Sequence, residues 1–394
     1  MKGGAIEKAY RGLSLLSVFH SLQYEEPFAS FFTYFEEENA NEKRKAYARF
    51  VAQIYEKANG DLTLAVWKAT RESENIFIKS VASGKPVSDC LKMQVEKELK
   101  NLSFFAALST KDFALDLEEN ENDLPAFTSL NKDMGAAYFE RVQNIEKYGY
   151  GIFASFGMFR IGETGEIEPV MSADSVRLNS FIGYEEERAQ IVENTKALLK
   201  GKAAANALLC GDAGTGKSST VKAVANEFFS QGLRLIELRK DELRALPKVM
   251  ERISGNPLKF IIFIDDLAFN RSNDDFSMLK AVLEGSASAK SNNAVIYATS
   301  NRRHIIKESF SDREGDDVHR NDTLQETLSL SERFGLVVRF QKPDKKLYLT
   351  IVETLAQRAN LQINEALFVQ AEAFALRKGN RSARCAEQFI QSLL

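Results

Sequence analysis

Residues 205–218 read Ala205-Asn-Ala-Leu-Leu-Cys210-Gly211-Asp212-Ala213-Gly214-Thr215-Gly216-Lys217-Ser218. An apolar run of strand length, Ala205 to Cys210, ends in a glycine, and the eight residues from Gly211 complete the pattern GxxxxGK[ST]. Ser219 to Phe229 then reads as a helix leaving the loop. Glycines let the backbone wrap tightly, so that successive N–H groups face phosphate oxygens at the positive end of the helix that follows. In that chemistry Lys217 reaches the β/γ-phosphates of ATP and Ser218 ligates Mg2+. Gly211, Asp212, Ala213, Gly214, Thr215, Gly216 and Ser219 complete the cradle.

A phosphate loop needs acid on a neighbouring strand. Phe260-Ile-Ile-Phe-Ile264-Asp265-Asp266 supplies five apolar residues, suited to burial on both faces, followed by two carboxylates. The pattern predicts Asp265 at the hydrated metal and Asp266 at the attacking water. A further strand ends Ala298-Thr299-Ser300-Asn301, a polar cluster at the carboxyl edge where ligands of open α/β sheets bind. Asn301 can hydrogen-bond a γ-phosphate and a water. Two arginines are candidates for transition-state charge: Arg333, in Leu330-Ser-Glu-Arg333-Phe-Gly, and Arg384, in Gly379-Asn-Arg-Ser-Ala-Arg384, with Arg381 as the rival of Arg384.

Outward from this centre, strands are expected at Ala205 to Cys210, Leu233 to Leu238, Phe260 to Ile264, Ala294 to Thr299 and Leu336 to Phe340. They alternate with helices, the signature of a parallel α/β sheet. A helix is expected from Tyr184 to Leu199, and beyond Lys342-Pro343-Asp344 the chain reads as wholly helical, with Asp344 a candidate N-cap. Residues 1–148 read as helices, with Tyr47, Phe50, Val51 and Ile54 on one face and Met134, Ala137, Tyr138, Val142 and Ile145 on another. Residues 149–175 are β-like, with a hairpin around Gly162-Glu-Thr-Gly165. The expected domains are therefore 1–148 helical, 149–175 a β-rich connector, 176–342 the nucleotide-binding α/β domain and 343–394 a helical lid.

The 394 residues carry 44% hydrophobic and 27% charged side chains, an ordinary globular balance. Lys plus Arg (52) against Asp plus Glu (55) gives −3, which removes the bulk electrostatic case for binding nucleic acid. Cys90, Cys210 and Cys385 lie far apart, as do His20, His304 and His319, so no zinc cluster or disulfide framework has its usual spacing. No apolar run approaches the roughly 20 residues of a transmembrane helix, and Leu13 to Phe19 lacks a cleavage pattern, so no membrane role and a cytoplasmic location are expected. Phe31, Phe32, Phe35, Phe104 and Phe105 suit a buried core better than a partner surface. The stretch Asp116 to Asp123 has five acids and no base, and reads as a solvated loop or helix face. Arg302 to Asp322, with six acids and five Lys/Arg, reads as a surface loop.

The ordered set of phosphate loop, Asp-Asp, Ser-Asn, Ser-Glu-Arg-Phe-Gly and a terminal helical segment with its own arginine resembles the AAA+ ATPases. Five stretches carry a closer resemblance, to a little-characterised bacterial AAA+ family catalogued as a domain of unknown function. They are Phe181-Ile-Gly-Tyr-Glu-Glu-Glu-Arg, Gly232-Leu-Arg-Leu-Ile-Glu-Leu, Lys259-Phe-Ile-Ile-Phe-Ile-Asp-Asp-Leu, Tyr297-Ala-Thr-Ser-Asn-Arg-Arg-His and Leu328-Ser-Leu-Ser-Glu-Arg-Phe-Gly-Leu. The resemblance covers residues 150–394. It implies a five-stranded parallel sheet with a helical lid and ATP at the interface of a homo-oligomer. It also implies that Ile182, Gly183 and Tyr184 edge the adenine, that Asn301 is sensor 1, Arg333 the finger acting on a neighbouring subunit, and Arg384 sensor 2.

Asp-Asp stands where the wider family has Asp-Glu, so the second carboxylate is one methylene shorter. Arg239-Lys-Asp-Glu-Leu-Arg-Ala-Leu-Pro lacks the aromatic-apolar-Gly triplet with which protein unfoldases grip polypeptide, and no guanine signature follows the phosphate loop. The expectation is a Mg2+-dependent ATPase that remodels a protein partner recognised through its N-terminal half. The alternatives are a helicase-loader or clamp-loader-like ATPase acting on nucleic acid, which the charge disfavours, and an ATP-binding scaffold with little turnover.

Overall fold

The computed structural model describes residues 4–172, 174–267, 279, 283, 292–301 and 333–394. The charged segment expected as a loop, 302–322, lies outside the described residues, as do His304 and His319. The chain forms two compact units, Met1–Ser155 and Phe156–Leu394.

The first unit is helical. Ala40–Ala58 begins where Asn39 accepts N–H bonds from Asn41 (3.0 Å) and Glu42 (3.2 Å), satisfying amides that would otherwise be orphaned. Its Tyr47, Phe50, Val51 and Ile54 are all buried, as the spacing predicts. Met134–Gln143 buries Met134, Tyr138 and Val142, while Ile145 is buried on the short helix that follows and Ala137 is only half-buried. The aromatics form core: Phe31 and Phe105 are fully buried, with Phe32, Phe35 and Phe104 packed against the same cluster. Within Asp116 to Asp123 two acids pair with the helix Ala40–Ala58, Asp116 meeting Lys43 at 2.9 Å and Glu119 pairing with Arg44.

The second unit is an α/β domain built on a seven-stranded sheet in the order β2-β1-β4-β5-β6-β3-β7. The strands are β1 (Met158–Ile161), β2 (Ile167–Pro169), β3 (Ala207–Gly211), β4 (Leu233–Leu238), β5 (Lys259–Ile264), β6 (Ala294–Ser300) and β7 (Leu336–Phe340). All neighbours are parallel except β1 and β2. The five strands expected are present, and the order β4-β5-β6-β3-β7 forms the core of the sheet. Two more are added. The hairpin expected as part of a separate connector is a sheet extension, because β1 pairs Met158 with Leu235 and Phe159 with Ile236 on the free edge of β4. Burial supports that placement: Met158, Phe159 and Ile161 are all buried. The β-like text is also shorter than expected, since Gly151–Ala154 forms a 3-10 turn.

Phe260 to Ile264 are completely buried, as a strand covered on both faces requires. Glu185–Leu199 forms the expected helix, one residue later at its start because Tyr184 is left-handed (φ 62°). The C-terminal helices are Lys345–Arg358, Glu365–Lys378 and Ala383–Gln391, with a core of their own around Tyr348, Ile351, Ala371 and Phe389. Asp344 caps the first of them, accepting the Leu347 N–H at 2.7 Å.

Candidate active site

The strand order brings three carboxyl ends side by side. β3 ends at Gly211, its neighbour β6 at Ser300, and β5, next to β6, at Ile264. The chain leaves β3 through a loop that only glycine can make at Gly211. There φ is +138°, and a Cβ would lie 1.9 Å from the Phe340 carbonyl oxygen of β7. The helix Lys217–Phe228 follows, so its unpaired first-turn N–H groups open onto the loop.

Lys217 is 5% exposed, and its ammonium donates to Gly211 O (2.9 Å), Asp212 O (2.7 Å) and Asn301 Oδ1 (3.0 Å). Burial lowers its pKa, opposed by the charges of Asp212, Asp265 and Asp266. Thr215 is buried and donates to Asp212 O at 2.9 Å, which closes the loop on itself. Ser218 Oγ donates to Asp265 Oδ1 at 2.6 Å. Asp266, at φ 50°, accepts the Asn301 amide at 2.8 Å on Oδ1. Lys217, Ser218, Asp265, Asp266 and Asn301 therefore form one hydrogen-bonded cluster.

The donor set fits Mg2+ rather than a softer metal. Ser218 hydroxyl and Asp265 carboxylate are adjacent hard oxygens beside a phosphate cradle. Among the described residues no group of three or more His, Cys, Asp or Glu could hold a metal ion.

Beside the loop lies a cavity of about 200 Å³. Phe181, Ile182, Tyr184, Ile351, Leu355 and Arg384 line it, together with Gly214, Gly216 and Ser219 of the loop region. Apolar side chains together with residues of the loop suit a nucleobase beside its phosphates. Gly183, between the two lining residues, has φ +73° and abuts Leu347 of the C-terminal helices, where a Cβ would fall 2.6 Å from Leu347 Cδ1. The Tyr184 hydroxyl donates to Gln341 O at 2.5 Å, so its ring is anchored. Asp212 and Ala213 are exposed at the loop tip.

The two candidate C-terminal arginines separate clearly. Arg381 is paired with Glu372 through both carboxylate oxygens, at 3.1 and 3.0 Å. Arg384 lines the cavity, and its backbone N–H points to Gly214 O at 3.4 Å. Arg333 lies elsewhere. It precedes β7, whose Leu336 pairs with Ala207 at the amino end of β3, and Gly335 is close enough that its Cβ would be 3.0 Å from Ala205 Cβ. Between that end and Gly211, β3 runs about 13 Å at the ~3.3 Å rise of a parallel strand.

Sequence reasoning gave no role to Phe181, Thr299, Ile351, Leu355 or Ser382. Phe181 and Thr299 stood inside quoted motifs and were adjacent to assigned residues. Ile351 and Leu355 lie on the helix Lys345–Arg358 and Ser382 caps the helix Ala383–Gln391, and no local signal marks which faces meet the loop. Ser382 Oγ is 2.9 Å from where a Gly214 Cβ would be, so the helix Ala383–Gln391 is docked on the loop itself.

The family model described as a protein of unknown function, DUF815, matches residues 154–394. No curated protein matches the chain. Among solved structures, the Thermotoga maritima RuvB Holliday junction branch migration motor and a lysine-to-arginine mutant of RuvB from that organism are similar to it. Each is 14% identical and aligns over 55% of this chain and 72% of the other, with a TM-score of 0.34.

Proposed function

The chain belongs to the DUF815 family of proteins of unknown function, and from its site we propose that it is a Mg2+-dependent ATPase of the AAA+ type. The observation that carries this is the cluster of Lys217, Ser218, Asp265, Asp266 and Asn301 at three adjacent strand ends. A buried lysine, a hydroxyl, two carboxylates and an amide are the parts that phosphoryl transfer to water uses, and that transfer depends on positioning and charge stabilisation.

Lys217 exchanges its carbonyl partners for β- and γ-phosphate oxygens, which also relieves the cost of its burial. Ser218 and Asp265 would hold hydrated Mg2+, which would supply charge neutralisation to the phosphates. Asp266 accepts a hydrogen bond from the attacking water, and Asn301 orients that water or the γ-phosphate. The base lies in the cavity of Phe181, Ile182 and Tyr184, with Arg384 at the phosphate side. Arg333, at the opposite end of β3, serves the site of a neighbouring subunit in a homo-oligomer. The helical unit Met1–Ser155, which contributes none of these groups, is the recognition module for a protein partner that the ATPase remodels.

The test is equilibrium binding of a fluorescent ATP analogue with Mg2+. Lys217→Ala is expected to bind about 10- to 100-fold more weakly, the loss expected for removing charge-assisted hydrogen bonds. Equal affinity in mutant and wild type removes the phosphate-loop reading.

A further inference from the structure

Thr299, on β6, is 2% exposed and connects the two acidic residues at the end of β5. Its hydroxyl donates to Asp265 Oδ1 at 2.5 Å and accepts the Asp266 N–H at 3.0 Å. Its carbonyl accepts the Leu267 N–H at 2.7 Å. One residue thus anchors three consecutive residues of the neighbouring strand's exit. A hydroxyl is suited to this because it carries one donor and two acceptor lone pairs, whereas valine has the same shape and neither function. The Thr299 side chain is itself buried, while Asp265 is half-buried and Asp266 exposed.

The anchoring bears on where the carboxylates point. Asp265 Oδ1 also accepts from Ser218 Oγ at 2.6 Å and from Asp266 N at 3.1 Å, so the Thr299 bond is one of three that hold the Asp265 carboxylate. Asp266 has φ 50°, a left-handed conformation that glycine and occasionally Asn or Asp adopt, and its N–H is held by Thr299 and Asp265 together. An aspartate has one rotatable bond fewer than a glutamate, so its reach is decided more by backbone than by rotamer.

We propose that Thr299 is a positioning residue of this site, which places the Mg2+-side carboxylate of Asp265 and the water-side carboxylate of Asp266 by one shared hydroxyl. The proposal rests on the ATPase reading above. Hydrogen-bonding partners behind metal ligands typically alter metal affinity or activity about 10- to 100-fold when removed.

The experiment compares Thr299→Val, Thr299→Ala and Thr299→Ser in the full chain. It measures the Mg2+ concentration for half-maximal binding of a fluorescent ATP analogue, the Mg2+-free affinity, phosphate release, and thermal unfolding without nucleotide. The Val and Ala variants are expected to need about 10- to 100-fold more Mg2+ and to turn over more slowly, with Mg2+-free affinity unchanged. Thr299→Ser is expected to restore the wild-type Mg2+ requirement; failure to do so counts against the hydroxyl. If the Val variant does not fold, the Ala and Ser pair carries the comparison. A wild-type Mg2+ requirement without the hydroxyl overturns the proposal, as does a parallel loss of Mg2+-free affinity and stability, which marks a structural role alone. Wild-type protein that does not bind the analogue at all overturns the ATPase reading, and the proposal with it.

Discussion

Gly211 stands where a strand becomes a phosphate loop, and its left-handed backbone lies hard against the Phe340 carbonyl. Adding a methyl group there meets backbone, which cannot swing aside as a flexible side chain would. Gly211→Ala is expected to destabilise the second unit by about 1–3 kcal/mol or more, the range for overpacking, before any conformational cost is added. Chemical denaturation of the full chain checks this. Arg384 makes a complementary prediction. Because it lines the cavity beside Gly214 and Arg381 is committed to Glu372, Arg384→Ala should weaken ATP-analogue binding about 10-fold or more while Arg381→Ala changes it little. The lysine, serine and paired carboxylates were legible in the sequence because each stands at a fixed offset from a glycine pattern or an apolar run. The choice between the two arginines was not. They are three residues apart on the same short segment, and only the docking of the last helix decides which one meets the loop.

At the scale of elements, most strands were readable because a strand buried on both faces has to be apolar throughout, as Phe260 to Ile264 are. The edge was not readable. Residues 158–169 announce a hairpin, yet their attachment to β4 depends on pairing across more than 70 residues of sequence, which leaves no local mark. A different long-range contact fixes the turn between the first two helical segments. Glu98, 1% exposed on Asp89–Ala106, accepts backbone N–H bonds from Ser17, Val18 and Phe19 and side-chain bonds from Ser17 and Gln94. Burial alone would raise its pKa, but these donors together hold it below the ordinary value of 4.5. The unfolded chain therefore takes up a proton before the folded one does. The stabilisation is present above pH 4.5 and is lost as pH falls through the lower folded-state value. Glu98→Gln should cost about 1–3 kcal/mol at neutral pH and flatten the acid sensitivity of this unit. Fluorescence of Trp67, the single tryptophan and part of this core's surroundings, reports on it selectively.

For the whole molecule, the composition allowed a neutral, multi-unit protein, and the chain divides into a helical unit and an α/β unit that holds every residue of the candidate site. No helix among the described residues is long and apolar enough to cross a membrane. The placement of Arg333 at the far end of β3 makes assembly a prediction. Arg333→Ala should bind ATP normally and lose about 1,000-fold or more in turnover, as removal of such a finger does elsewhere. Mixing it with Asp266→Asn should recover part of the activity, because each intact site can then combine one subunit's carboxylate with another's arginine. Absence of recovery in mixed assemblies would argue against a finger supplied in trans. The most direct measurement is phosphate release from Mg2+-ATP by purified wild type, Lys217→Ala and Asp266→Asn proteins. The ATPase account predicts release by the wild type that falls to background in both variants, and equal rates in all three would contradict it.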